Sequence, residues 1–247
     1  MASSADHLKA VNGFLAKAGG KDKLTALIQY TCMFISAGEP GNAKKIQASV
    51  AAARKVFRIL GPLESVSPLI LNPHLNPKKP VPIELLNKLK GLLMAIYFGA
   101  DHVVWAGQAG LVANKQLLER CQKASLYGWA GGSLCTVISE SWELTVLNQT
   151  IRRKDESEEA WQARQAKAIA DINSHSLVLF HALIQAALAT GLLGLTNWKP
   201  RFVGFLGVVA SAINCYMLFP ALPKPAEKPA RKEVQLESLK PATLKLA

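Results

Sequence analysis

The sequence predicts an all-α, helical integral membrane protein, with N-terminal amphipathic helices followed by a bundle of two to four membrane helices that ends in a C-terminal helical hairpin. Three observations carry this. Two apolar runs near the C-terminus, SLVLFHALIQAALATGLLGL (176–195) and FVGFLGVVASAINCYMLF (202–219), reach roughly 30 and 27 Å at about 1.5 Å per helical residue, the thickness of a bilayer's hydrocarbon layer. Two amphipathic helical patterns lie near the N-terminus. The composition is at once basic and apolar: 29 Lys+Arg stand against 17 Asp+Glu, a net charge of +12, while half the residues are hydrophobic and mean hydropathy is +0.16. A positive excess calls for a polyanionic neighbour. With this hydropathy, and with no base-reading or stacking module in the sequence, that neighbour is expected to be anionic membrane lipid rather than nucleic acid.

Residues 1–61 form the N-terminal region, expected on the cytosolic side. The first twenty residues lack the sustained apolar run and cleavage pattern of a secretory signal, and the final TLKLA does not complete a Ser-Lys-Leu peroxisomal address. Cys32, Cys121, Cys135 and Cys215 are too far apart in sequence for a CxxC or Cys/His zinc pattern, so a reducing compartment, no metal and no cofactor are expected. Leu24, Leu27, Ile28, Thr31 and Ile35 recur at helical steps and predict an amphipathic helix over about 22–36. Gly38-Glu39-Pro40-Gly41 breaks it, and Asn42 is suited to cap the next helix.

That next helix is AKKIQASVAAARKVFRIL, 43–60, with five basic residues and no acidic one. On a helical wheel Ile46, Val50, Ala53, Phe57 and Leu60 form one stripe, while Lys44, Arg54, Lys55 and Arg58 occupy the other side, Lys45 lies at the flank and Ile59 interrupts the polar face. Lys44 and Lys45 fall in the first turn, where positive charge opposes the helix dipole by roughly 0.3–1 kcal/mol each. The pattern suits an interfacial helix whose apolar stripe enters the headgroup region while its basic residues meet anionic lipid. It equally suits a helix packed on its own protein.

Residues 62–90, with six prolines, read as an irregular linker leading into a helix near Ile83. Residues 91–147 hold two candidate membrane or interfacial helices, 91–114 and 124–147, interrupted by Asp101-His102 and by Glu140 and Glu143 respectively. Residues 148–175 are a charged helical connector and 176–219 the transmembrane hairpin, whose runs are separated by TNWKPR. Residues 220–247, basic and proline-rich, form a flexible tail expected in the cytosol, although Lys199 and Arg201 in the hairpin turn place positive charge on the opposite side.

No catalytic constellation is legible: adjacent helical residues such as Asp101 and His102 diverge, and no nucleophile with an orienting partner accompanies them. Non-enzymatic function follows. Asp101, His102, Glu140 and His181 are candidates for a polar path at membrane depth or for mutual hydrogen bonding between helices. Gly128 and Gly132 form a GxxxG suited to close helix packing, as do Gly207 and Ser211 in small-xxx-small spacing.

Four stretches, GGKDKLTALIQY (19–30), AARKVFRIL (52–60), ADHVVWAGQAGLVANK (100–115) and the C-terminal GLLGL…FVGFLGVVASAINCYMLFP, in this order and spacing, resemble the peroxin-eleven family of peroxisomal membrane proteins, particularly its plant-type members, over about residues 10–222. The resemblance implies an integral protein of the peroxisomal membrane that elongates and remodels it before fission and so promotes peroxisome proliferation. It implies an amphipathic helix that inserts into the lipid surface, its basic residues matching Lys44, Lys45, Arg54, Lys55 and Arg58. It also implies homo-oligomers, hetero-oligomers with related members, and cooperation with peroxisome fission factors. A channel or metabolite pore of the same membrane is the alternative it leaves open, and the dilysine signal of some plant members is matched here only by Lys245.

Overall fold

The structure is a computed structural model that describes residues 3–77, 79–149 and 154–222. The expectations for the basic tail beyond residue 222, and for Thr150 to Arg153, lie outside the described residues. Within them the chain forms eight helices: α1 (Ser4–Ala16), α2 (Ala18–Ser36), α3 (Asn42–Phe57), α4 (Gly61–Leu71), α5 (Val81–Gln108), α6 (Lys115–Asn148), α7 (Glu158–Leu192) and α8 (Pro200–Leu218).

Local chemistry sets most boundaries. Ser3 and Asp6 cap α1 reciprocally, each side chain bonding the other's backbone N–H. Asn114 accepts from Leu117 N at the start of α6, and Ser157 from Ala160 N at the start of α7. Asn42, expected as the cap of α3, is instead its first residue; the cap position belongs to Gly41 at φ 148°, a conformation that only glycine adopts without strain.

Several boundaries differ from expectation: α2 begins at Ala18 rather than near 22, α3 ends at Phe57 rather than at 60, and the helices expected over 91–114 and 124–147 are Val81–Gln108 and Lys115–Asn148. Residues 62–90 are helical at both ends, because Pro62 sits in the first turn of α4, and Pro80 and Pro82 at the start of α5, where a missing N–H leaves no bond unmade. Among the described residues of this stretch, 72–77 and 79–80 are irregular. The charged connector and the first apolar run are one 35-residue helix, α7, because AWQARQAKAIADINSHS contains neither glycine nor proline to stop it.

Six helices close a ring in the order α2, α8, α7, α6, α5, α3, with α1 laid on α2 and α4 on α5 outside it. Glycines permit the closest approaches. A Cβ on Gly207 would collide with the Tyr30 ring and one on Gly204 would lie 2.6 Å from Phe34 N, which draws α8 onto α2; one on Gly128 would lie 2.6 Å from Leu93 O, and one on Gly132 3.0 Å from Met94 Sδ, which draws α6 onto α5. Ala26, Tyr30, Leu188, Val203 and Ala210 form the core between α2, α7 and α8. The hairpin partners α7 and α8 touch, but α7 lies chiefly along α6 and α8 along α2.

Among the described residues, α7 and α8 are the two helices long and apolar enough to cross a membrane. Most of each apolar window is unburied, and Phe180, Leu183, Phe202 and Phe205 face outward. A helix of this composition in a water-soluble bundle would turn such residues inward.

Candidate functional site

Helix α3 and its neighbour α2 have the same unusual orientation. In α2 the apolar residues Leu24, Ile28 and Ile35 are exposed, while Asp22, Ala26 and Tyr30, one turn apart, are buried. In α3 the stripe is likewise outside: Ile46 is 48% and Phe57 36% exposed, with Val50 half-buried and Ala53 exposed, and Leu60, in the turn between α3 and α4, is 62% exposed. The exposed apolar surface continues through Val56, Ile59 and Leu63 into α4.

The polar face of α3 points the other way, which corrects the expectation of five basic side chains on an outer surface. Arg54 and Lys55 are each only 8% exposed, and Arg58 is half-buried. Arg54 donates through Nε to Asp22 at 3.0 Å and through Nη1 to Gln29 at 2.7 Å. Lys55 donates to Asp101, and Arg58 bridges the two acids, its Nε 3.3 Å from Asp22 and its Nη2 3.1 Å from Asp101. Its third nitrogen donates to the Tyr97 hydroxyl. The two guanidinium groups also lie 5.8 and 5.5 Å from the rings of Tyr30 and Tyr97. Only Lys44 and Lys45 remain at the surface, and Lys44 Nζ donates to Gly38 O at 3.2 Å.

The physical reason is pairing. A buried cation without a partner costs several kcal/mol, and Asp22 and Asp101, 32 and 46 residues from their partners, supply the counter-charge. Burial alone would push the Asp22 carboxyl up, but Lys23, Arg54 and Arg58 around it hold it below the ordinary carboxylate range. Burial pulls the Lys55 ammonium below its ordinary value, against the opposing attraction of Asp101.

The four polar-path candidates fall into separate local arrangements. Asp101 belongs to the α3 network, and His102 Nε2 bonds Arg58 O at 3.1 Å. Glu140 pairs with His175 of α7 at 2.6 Å. His181 bonds Gln185, which in turn accepts from Trp129 Nε1.

Asp22, Lys23, Gln29, Tyr97 and Trp129 were not singled out from sequence as site residues. One signal was present: Asp22 lies four and eight residues before Ala26 and Tyr30, so it shares the stripe of small and aromatic residues rather than the one of large aliphatics.

Sequence comparison supplies an independent line. The profile of the family described as peroxisomal biogenesis factor 11 matches residues 8–219. Peroxisomal membrane protein 11D of Arabidopsis thaliana is 35% identical over 222 residues, which cover 85% of this chain and 91% of that relative. Peroxisomal membrane protein 11-5 of Oryza sativa subsp. japonica is 34% identical, with 84% and 91% covered, and the human peroxisomal membrane protein 11A is 24% identical, with 72% and 77% covered. No solved structure matches significantly.

Proposed function

The chain belongs to the peroxisomal biogenesis factor 11 family, and from that premise we propose that it is an integral protein of the peroxisomal membrane that remodels the membrane without enzymatic chemistry. The general role, in peroxisome biogenesis and proliferation, follows from the family and from relatives named as peroxisomal membrane proteins. The specific action is elongation and tubulation of the membrane before fission. One observation carries it: α3 turns its charged face into the protein and its apolar stripe, Ile46, Phe57 and Leu60, outward. Such a surface is stable where it meets acyl chains, and a shallow helix in one leaflet expands that leaflet and bends the membrane. Lys44 and Lys45 at the start of α3 meet anionic headgroups, while α7 and α8 cross the bilayer with both termini on the cytosolic side. Self-association, hetero-association with related members and recruitment of fission factors belong to the same reading.

The test is a full-length fluorescent fusion, overexpressed. It should reach peroxisomes and elongate them, and the triple variant Ile46→Asp, Phe57→Asp, Leu60→Asp should still reach them but leave them round. Elongation undiminished in that variant would remove α3 from the mechanism. A second reading, a solute pore, draws on the polar cavities at the centre of the helix ring. Purified protein in planar bilayers would then conduct, with selectivity altered by Asp101→Asn, whereas tubulation without conductance leaves the remodelling reading alone.

A further inference from the structure

Two neighbouring cavities occupy the centre of the six-helix ring, of about 310 and 140 Å³. Tyr30, Arg54, Arg58, Tyr97 and Trp129 line both. The larger is also lined by Lys55 and Asp101, the smaller by Lys23.

The charges in this cluster do not balance. Lys23, Arg54, Lys55 and Arg58 face two carboxylates, Asp22 and Asp101. The acids on the neighbouring seams are committed elsewhere, Glu140 to His175 and Glu143 to Lys79. Arg54, Lys55 and Arg58 are enclosed with Asp22 and Asp101, and Lys23, 29% exposed, stands at the edge of the smaller cavity, so the cluster carries a net charge of +2. Donors are also left over. Arg54 uses Nε and Nη1, and no hydrogen-bond acceptor meets its Nη2 among the described residues. The Lys55 ammonium has three protons and one acceptor there, Asp101. Both side chains are nine-tenths buried and line the larger cavity, to which Gln122 and the buried Ser125 add neutral hydrogen-bonding groups.

We propose that the central cavity is an anion site for a phosphate monoester group. A phosphate monoester carries a charge of about −1.5 to −2 near neutral pH, which matches the uncompensated charge, and three acceptor oxygens, which match the spare guanidinium and ammonium donors. The volume, at the lower end of ligand pockets, fits a phosphate with a small attached group and not a whole lipid. The group belongs either to a lipid headgroup or to a soluble phosphate ester. The site lies on the inward face of α3 and is independent of what its outward face does to the bilayer.

Full-length protein in uncharged detergent micelles provides the test. Thermal unfolding is followed in sodium phosphate against sodium chloride at equal ionic strength, and in micelles doped with phosphatidic acid against phosphatidylcholine. Equilibrium dialysis with radiolabelled phosphate or phosphatidic acid counts the sites. We expect the unfolding midpoint to rise by several degrees with at least one phosphate monoester, with saturable binding close to one per chain. A response to inorganic phosphate supports a soluble ester, and a response to phosphatidic acid alone supports a headgroup. Arg54→Gln removes a cavity cation and should abolish the shift. Ala51→Phe fills part of the larger cavity from α3 and replaces no charged residue, and should abolish the shift while the protein stays folded. Absence of saturable binding in both arms for the wild-type protein overturns the site, as does a shift that survives Ala51→Phe.

Discussion

Helices α2 and α3 on one side of the ring and α7 and α8 on the other meet their surroundings by opposite means. The C-terminal pair is apolar nearly all round over its membrane-length windows, and its buried positions are taken by small residues such as Ala182, Ala189, Gly204, Gly207 and Ala210. Close packing of backbones holds it. The N-terminal pair is amphipathic but turned inside out, with Leu24, Ile28, Ile46 and Leu60 outside and Asp22, Arg54 and Lys55 inside. Charge pairing holds this pair. The difference teaches that an apolar exterior can be built in two ways, and that the second leaves a polar, ligand-sized interior behind.

The largest expected effect is on the charged side of that comparison. Asp22→Asn leaves Arg54 and Arg58 short of a carboxylate in a buried site and should destabilise the protein by roughly 3–5 kcal/mol, read as a fall in unfolding midpoint in micelles. The pH dependence has a defined sign. The Asp22 carboxyl is held below its ordinary value in the folded state, so its contribution is complete above about pH 3.9, the unfolded value, and is lost as pH falls through the lower folded one. Unfolding scans below pH 4 should show this loss in the wild type and a flatter profile in Asp22→Asn.

On the outward face the expected loss is in membrane binding rather than folding. Phe57→Asp with Leu60→Asp removes two apolar side chains, each worth about 1.5–3 kcal/mol on full transfer from water. Liposome flotation should fall at least tenfold while the unfolding midpoint in micelles moves little. A smaller effect tests the other mode of packing. Gly207→Leu forces α8 away from Tyr30 and should cost about 1–3 kcal/mol, a shift in midpoint that salt leaves unchanged because no charge is involved.

The smallest effect belongs to the two outer lysines. Lys44→Glu with Lys45→Glu should weaken binding to anionic vesicles by about 1 kcal/mol for each charge removed, and the difference should fade in high salt. Substituting Arg54 or Lys55 instead should leave this salt-dependent attraction of the outer surface unchanged, since neither side chain reaches that surface.

Much of this architecture was legible in the chain. The bilayer-length runs, the helical repeat of 43–60 and the Gly128/Gly132 spacing depend on local periodicity, which sequence displays directly. The helix α4 was not legible, because six prolines in 62–90 suggest irregularity unless it is known that Pro62, Pro80 and Pro82 stand at helix starts and that α4 holds Pro68 in its interior. The joining of α7 was hidden by the change from charged to apolar residues at its middle, which marks a change of environment and not of backbone.

By itself, the sequence determined that the protein is helical, where membrane-length segments lie, and that α3 has one apolar and one basic face. Only the tertiary structure decided which face looks inward. A helical wheel is silent on that choice, because its period is the same whether the stripe meets a core or a bilayer. The choice came from Asp22 and Asp101, brought from α2 and α5 to Arg54, Lys55 and Arg58. Charges buried with partners can stay in the interior, and the apolar stripe is then left to the lipid.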